Sequence, residues 1–549
     1  MKKMMLRLFI KLTSMFFITI LLWSCQSATI KFNENNYIAH LKLDTSVLVA
    51  TEIAHDLEVP WDLVVDHEGW IWFTEQKGSI KRVHSETSEI QKLVTIDDVF
   101  YRKSTGLFSM ALHPDFENSP HVFVHYTYAI TDANLMDHIF SKIVRYTLKK
   151  QQLTDQILIL DAIPGRTFHN GSRMLITKDY KLFLGLGDAG GGTNLTQNNQ
   201  VLNGKIIRIN LDGSIPSDNP YPNNPVWSMG HRNVQGITFA NGKLYASEHG
   251  PITDDEINII TKGSNYGWPN VHGYCDLASE KAYCKDSIIV EPIKAWTPTV
   301  ATSGLAYYNH TAIPEWKNSL LQSTLKGQSL RVLNLNENGS EVTEEHILLQ
   351  KFLGRIRDVT MGNHGEVYVA ISNLDWHPGH QPWMYDSLPT SRGDRIIKLE
   401  RANDAMLDQL TQIENPIELT EDAEAYALPS EDWGFNATDD ELLSGQNLYM
   451  VQCAACHRPD GKGNIGQIPP LVNSEWVSGD NQRLIDVMLK GLSAPIIVNG
   501  VEYQDEMPSY QNLEDEEIRD ILNFIRIEFG ETNGNIIAAD VLHQRKGLQ

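Results

Sequence analysis

Cys453-Ala454-Ala455-Cys456-His457 sets two thiols three positions apart with an imidazole directly behind the second. At that spacing two cysteines can form thioethers to one porphyrin while the next side chain reaches the iron. The chemistry implied is covalent attachment of haem c at Cys453 and Cys456, with His457 as an axial ligand and one-electron transfer as the outcome. The alternatives are a redox dithiol and half a zinc site. The first wants a βαβ context and the second another ligand pair, and neither is found around this pentapeptide.

A sixth iron ligand is expected at Met507, in Glu506-Met507-Pro508-Ser509-Tyr510. This segment reads as a loop after the haem box, where resemblance to class I cytochromes c places a methionine. A His/Met pair raises the potential and suits the haem to accept electrons. Met488 lies within the amphipathic helical pattern Arg-Leu-Ile-Asp-Val-Met-Leu-Lys-Gly-Leu (483–492) and reads as core.

Further upstream, His169-Asn170-Gly171-Ser172-Arg173 is followed by Gly187-Asp188. An imidazole titrates in the range useful for taking a hydroxyl proton, although a lone histidine is more often a satisfied loop residue. In Gly354-Arg355-Ile356-Arg357-Asp358, strand alternation puts Arg355 and Arg357 on one side, opposite Ile356. Two guanidiniums together in an acidic chain call for an anionic partner; surface salt bridges are the alternative. The triplet Asp254-Asp255-Glu256 reads equally as a solvated turn and receives no ligand role.

The elements that position these residues fall into two groups. Six times the sequence runs apolar strand, polar turn, apolar strand, polar gap, and a third strand with basic and aliphatic residues. The copies start at Leu63, Met110, Met174, Gly236, Gly304 and Asp358. Units that cannot bury their faces alone stack into a β-propeller, whereas a β-sandwich would explain the strands but not the repetition. Beyond it, Thr438-Asp439-Asp440-Glu441 is a capping box ahead of a helix through Gln452, and Ile518, Ile521, Leu522 and Ile525 share one helical face. The expected fold is an all-β six-bladed propeller followed by a small all-α cytochrome c domain. Its divisions are a lipoprotein-type signal segment at 1–25, an N-terminal tether at 26–50, the propeller at 51–401, an acidic and proline-containing linker at 402–436, the cytochrome domain at 437–530 and a tail at 531–549.

The N-terminus carries Lys2, Lys3, Arg7 and Lys11, then an apolar run from Met15 to Trp23, too short to span a bilayer, and then Cys25. Cys25 resembles the lipidated cysteine of a bacterial lipoprotein; a plain secretory signal is the other reading. With Cys25 lipidated and Cys453 and Cys456 on haem, Cys275 and Cys284 remain to form a disulfide in an oxidising compartment, with reduced thiols or half a metal site as alternatives. The expected location is the cell envelope or periplasm, on a membrane through the lipid. A net charge of −23, from 46 basic and 69 acidic residues, would repel a phosphate backbone, so nucleic acid is excluded as a partner. From Ala437 onward 18 acidic residues stand against 8 basic ones, a surface that a basic external redox partner would complement.

Between Leu57 and Leu399 the chain resembles the glucose/sorbosone dehydrogenase family, in phrases such as Gly-Lys-Ile-Ile-Arg-Ile-Asn-Leu-Asp-Gly (204–213) and Gly-Ser-Asn-Tyr-Gly-Trp-Pro-Asn (263–270). That family consists of quinoproteins on a six-bladed propeller with pyrroloquinoline quinone (PQQ) and calcium. The resemblance implies that His169 is the general base, oriented by Asp188. It places Arg232 and Asn233, of Gly230-His231-Arg232-Asn233, against the quinone, with Arg232 also in the catalytic set. The backbone carbonyls of Gly250 and Pro251 would bind calcium, and Lys326, Arg355 and Arg357 would meet the PQQ carboxylates. Three departures bear on substrate. Ser104 stands where the family carries Gln or Glu, Phe168 replaces a polar residue, and an aromatic is offset near Trp296-Thr297-Pro298.

With the haem box and the N-terminal segment, the resemblance implies a membrane-anchored, PQQ-dependent sugar dehydrogenase, an oxidoreductase expected to act on CH–OH groups of an aldose or related polyol. Its electrons pass to haem c and then to an external acceptor. The alternative is a propeller without PQQ that serves as a carbohydrate-binding or docking module for an electron-carrying cytochrome. Ser104 favours the alternative; the set His169, Arg232, Arg355 and Arg357 favours the enzyme.

Overall fold

Strands whose two faces are both buried build the inner part of each sheet. Ser319–Thr324 is buried at every position, and Trp70–Glu75 is buried from Ile71 onward. The computed structural model describes residues 36–131, 137–190, 193–251, 253–380, 388–389, 393–421, 440–492, 495–511, 513–530, 532 and 535–547. Cys25 and the Thr438-Asp439 half of the capping box lie outside them. Among these residues, five four-stranded antiparallel sheets follow one another as blades 1 to 5, spanning 60–95, 107–164, 171–229, 234–296 and 302–348.

Blade 6 closes the ring. Its inner strands are Ile356–Met361, Val367–Ile371 and Asp394–Arg401, and the last pairs antiparallel with Val47–Leu57 from the N-terminus. Pairing the two ends of the propeller segment removes the free edge that an open ring would leave. Tyr37–Lys42 adds a further strand, so much of the stretch read as a tether is sheet. The start of the presumed linker is also built in. Asn403 caps the helix Asp404–Leu410, whose Met406 and Leu410 pack on Val49, and Glu418–Leu419 pairs with His40 and Leu41. Each sheet also carries an outer strand beyond the repeated three; in blade 1 it is Ile90–Thr95, where only Leu93 is fully buried, so it lacks the continuous burial of the inner strands.

Buried charge ties the inner strands of the blades together. Arg173 of blade 3 donates to Asp62 of blade 1, lies 3.1 Å from Asp358 of blade 6, and gives its Nε–H to the Gln235 carbonyl of blade 4. Asp62 accepts the Met110 N–H of blade 2 at 2.8 Å, and Asp358 accepts that of Leu63 at 2.6 Å. Gly304 makes this possible, because a Cβ there would stand 1.9 Å from Asp358 Oδ1. A buried arginine among acceptors on several blades fixes their inner rims relative to one another.

The C-terminal domain is helical: Asp440–Gln452, Ala454–His457, Asn481–Lys490, Asp515–Glu528 and Ala538–Lys546. Gly445 lets the first and fourth of these cross closely, since a Cβ would meet the Asp520 carbonyl at 2.2 Å. Tyr449, Phe524 and Phe529 pack at that crossing with ring centroids 5.1–5.7 Å apart. The helix within the presumed tail buries Val541 and pairs Arg545 with Asp515 at 2.8 Å, so that part of the tail belongs to the domain core. Cys275 and Cys284 are joined as a disulfide on a blade 4 excursion. Among the described residues no helix is long and apolar enough to cross a membrane.

Candidate active site and haem cleft

A cavity of about 330 Å³ opens at one end of the ring, with loops of the blades as its floor and walls and the helical domain as its roof. His169 enters from the turn before the strand Gly171–Ile176, with φ +52. That turn presses against the next one, because a Cβ on Gly187 would stand 1.9 Å from the His169 carbonyl oxygen. The imidazole therefore meets Asp188, with Nδ1 to Oδ1 at 2.9 Å. Asp188 is held further by the Trp268 indole N–H, which reaches its other oxygen at 3.0 Å, and by the Gly190 N–H, which shares Oδ1 at 2.8 Å. A carboxylate can only accept, so Nδ1 carries the proton and Nε2 is left as the unprotonated ring nitrogen.

Burial lowers the His169 pKa below its usual 6.5, Arg232 lowers it further, and Asp188 opposes both. Burial alone would raise the Asp188 carboxyl, but His169 and Arg232 hold it below the ordinary value. The pair at neutral pH is therefore imidazole and carboxylate.

Arg232 sits on a turn built by Glu248, which accepts the Arg232 N–H at 2.7 Å and the His231 Nδ1 contact at 2.8 Å. The guanidinium carbon lies 5.2 Å from the Trp268 ring centroid, and Arg232 Nε is buried with no hydrogen-bond partner among the described residues. Asn233 lines the cavity but spends Oδ1 on the Gly171 N–H at 3.0 Å, pinning the His169 turn.

Gly250 and Pro251 form the adjacent wall. Asp255 accepts the Gly250 N–H at 2.9 Å and the Val300 N–H at 2.8 Å, and burial raises its carboxyl to about 6. Asp255 and Glu256 are buried and hydrogen-bonded, so the acidic triplet is no solvated turn. Among the described residues no three His, Cys, Asp or Glu side chains gather as a metal site, so a cation here would depend on backbone oxygens.

Arg355 and Arg357 face the cavity together and are 2% and 8% exposed, which removes the surface salt-bridge reading. Each places Nη2 2.6 Å from Asp375 Oδ2, a partner in the chain that sequence reasoning missed. Burial would raise the Asp375 carboxyl, but the two arginines pull it to about 2. Arg357 Nε is buried with no hydrogen-bond partner among the described residues. Lys326 joins the same wall, 3.3 Å from Thr299 Oγ1.

Ser104 lines the cavity, its N–H bonded to the Thr167 carbonyl and its own carbonyl to Asn170. Phe168 stands edge-on to His169 at 5.2 Å. Trp296 turns away from the cavity and bonds Glu345 at 2.9 Å. Trp268, Trp61 and Gln76 also line the site; Trp268 was readable only as part of a scaffold phrase.

A second, almost wholly apolar cleft lies inside the helical domain. Cys453, His457 and Met507 line it, with Leu484, Met488 and Ile525 among the aliphatic walls. His457 Nδ1 is bonded to the Pro469 carbonyl at 3.0 Å, which leaves Nε2 for a metal. The Cys453 thiol, the oriented imidazole and the apolar walls fit a covalently held haem. Cys456, the other thiol of the box, lines the cavity that holds His169.

The glucose/sorbosone dehydrogenase family model matches residues 57–376. The chain belongs to the glucose/sorbosone dehydrogenase family. Quinoprotein glucose dehydrogenase B of Acinetobacter calcoaceticus is 30% identical over 404 residues, covering 58% of this chain and 84% of that one. The PQQ-bound aldose sugar dehydrogenase of Streptomyces coelicolor superposes with a TM-score of 0.55 at 28% identity, covering 65% of this chain and 98% of that one. To this glucose/sorbosone dehydrogenase propeller is joined a cytochrome c domain, whose family model matches residues 442–527. Cytochrome c-552 of Thermus thermophilus is 40% identical over 91 residues, 16% of this chain and 69% of that one.

Proposed function

We propose that this member of the family is a quinohaemoprotein dehydrogenase, lipid-anchored through Cys25, that oxidises a hydroxyl of an aldose or related polyol and passes the electrons through its own haem c to an external acceptor. The observation that carries the reading is one cavity bounded by the His169–Asp188 pair, by Arg232, Lys326, Arg355 and Arg357, and by Cys456 of the haem box.

The donor chemistry fits a tricarboxylate quinone. Arg232 Nε and Arg357 Nε are buried donors awaiting an acceptor, and they share the site with Lys326 and Arg355. In this reading Arg232, Asn233, Lys326, Arg355 and Arg357 hold PQQ, and the Gly250 and Pro251 carbonyls hold calcium. When bound, PQQ with calcium supplies a polarised two-electron hydride acceptor, and haem c supplies a one-electron relay.

The protein's own part is proton handling and orientation. His169 Nε2 takes the proton of the substrate hydroxyl as hydride departs from the carbinol carbon, raising that carbon to the carbonyl level. Asp188 holds Nδ1–H and stabilises the imidazolium that forms, while Trp268 and Gly190 keep the carboxylate in place. Trp61, Phe108 and Phe168 line the cavity with apolar surface that limits water.

The test is to load the haem-bearing full chain with PQQ and calcium and screen aldoses and polyols while following the haem absorption bands. Haem reduction that needs both PQQ and sugar is the expected result. A chain that binds no PQQ would instead be a carbohydrate-binding or docking module for its cytochrome.

A further inference from the structure

Three basic residues stand on the rim of the catalytic cavity beneath the helical domain. Lys103 Nζ lies 3.3 Å from Asp505 Oδ2, Arg102 Nη1 3.2 Å from Glu506 Oε1, and Arg166 Nη1 3.4 Å from the Ser509 carbonyl oxygen. All three acceptors belong to the short loop that carries Met507. In a chain of net charge −23, cations grouped opposite an acidic loop are a departure from the background.

The rim is built to hold them there. Lys103 adopts φ +54, an uncommon conformation for a residue other than glycine. The Gln76 amide holds the turn by donating to the Lys103 carbonyl at 3.1 Å and the Thr105 carbonyl at 2.9 Å. Arg166 is fixed by Asn170, which accepts its N–H at 2.9 Å and donates to its carbonyl at 2.6 Å. Asn170 is the neighbour of His169 and also donates to the Ser104 carbonyl. The docking cations and the base therefore sit on loops that are hydrogen-bonded to each other.

We propose that Arg102, Lys103 and Arg166 form a docking patch for the chain's own cytochrome domain, which closes reversibly as the roof of the catalytic cavity and receives electrons in that docked position. The proposal rests on the quinohaemoprotein reading for the direction of electron flow, but the docking itself does not. Glu506, Pro508, Tyr510 and Gln452 complete the roof, and Cys456, where the porphyrin would be bonded, opens into the same cavity. The Arg102–Glu506 pair is open to solvent, with side-chain exposures of 42% and 45%, so salt screens it; Lys103 and Asp505 are more enclosed at 19% and 25%, and Asp505 Oδ2 is buried while the domains are docked. A contact of this kind holds because the domains are covalently tethered, and it can still open to admit substrate.

The experiment uses the haem-loaded full chain, without PQQ or sugar, and a zero-length carbodiimide that joins an amine to a carboxylate. At low salt, mass spectrometry should find Lys103 joined to Asp505 or Glu506. The yield should fall severalfold at about 0.5 M salt, where the Debye length is near 4 Å. Lys103→Gln should abolish the product, and Lys103→Glu with Asp505→Lys should restore a link between the same two positions. In chains loaded with PQQ and calcium, Lys103→Glu should slow sugar-driven haem reduction about tenfold, and the double exchange should recover it. Lys103 linked indiscriminately to carboxylates over the cytochrome surface, or a double exchange that restores no link, would overturn the docking patch. If the link forms as described while sugar never reduces the wild-type haem, the patch stands and the dehydrogenase reading fails.

Discussion

His169 Nδ1 lies 2.9 Å from Asp188 Oδ1, and the other oxygen of that carboxylate takes the Trp268 indole proton at 3.0 Å. The carboxylate thus has one orientation and the imidazole one tautomer. Asp188→Asn puts an N–H donor within reach of Nδ1 and allows the tautomer in which Nε2 carries the proton and cannot act as base. Turnover with sugar should fall on the order of a hundredfold or more, with PQQ binding little changed. Trp268→Phe, which frees the carboxylate to rotate, should lower turnover by a smaller factor.

The pH dependence follows from the same environment. Burial and Arg232 lower the His169 pKa from 6.5, so the base form persists as pH falls, and the acid limb of kcat/KM should lie below pH 6.5. Asp188 opposes that lowering. In Asp188→Asn the acid limb should therefore move to still lower pH, although the plateau is smaller. A limb that moves upward would show that another group controls it.

Asp375 holds Arg355 and Arg357 side by side, with Nη2 of each 2.6 Å from the same oxygen. Asp375→Asn leaves two buried guanidiniums without that counter-charge and should destabilise the propeller by about 3–5 kcal/mol in urea titrations. The carboxyl is depressed to about 2, so its stabilisation is complete above its usual value near 3.8 and is lost as pH falls toward 2. The gap between wild type and variant should narrow over that interval, and saturating PQQ should return part of the loss to the variant at neutral pH.

Met507 and Met488 both line the haem cleft, but Met488 is 2% exposed among the helix-packing residues. Met507→Ala should leave the haem covalently attached, remove the methionine-ligated spectrum and lower the potential. Met488→Leu, close in volume, should keep the spectrum. The reverse pattern would exchange their roles.

Cys25 follows the short apolar run of the N-terminus. If it carries the lipid, Cys25→Ser should move the protein from the membrane to the soluble fraction, because stable anchoring needs more than one acyl chain. Retention through carbonate washing would point to another attachment.

Much of this architecture was legible in the sequence because it is written in local patterns. The inner blade strands carry clustered apolar residues in a repeated order, and Cys453, Cys456 and His457 have a spacing that few other sites share. The outer strands were less legible, since Ile90–Thr95 mixes apolar and polar residues, fully buries only Leu93 and is held by its neighbour's backbone. The pairing of Val47–Leu57 with Asp394–Arg401 was hidden because strands so far apart carry no local signal of each other. Asp375 was missed for a related reason. Its carboxylate meaning appears only when the blade turn brings it to Arg355 and Arg357. The contact of Lys103 with Asp505 joins two domains and left no trace in either motif.

The proposed function depends most on His169 acting in the propeller on behalf of a haem in the other domain. Stopped-flow measurement of haem reduction by an aldose, in wild type and His169→Ala both loaded with PQQ and calcium, tests this directly. Because the haem cleft has its own core, the variant should fold, carry haem and be reduced normally by dithionite. Its sugar-driven haem reduction should be slower by on the order of a hundredfold or more while PQQ still binds. Haem reduction by sugar at the wild-type rate in His169→Ala would contradict the account.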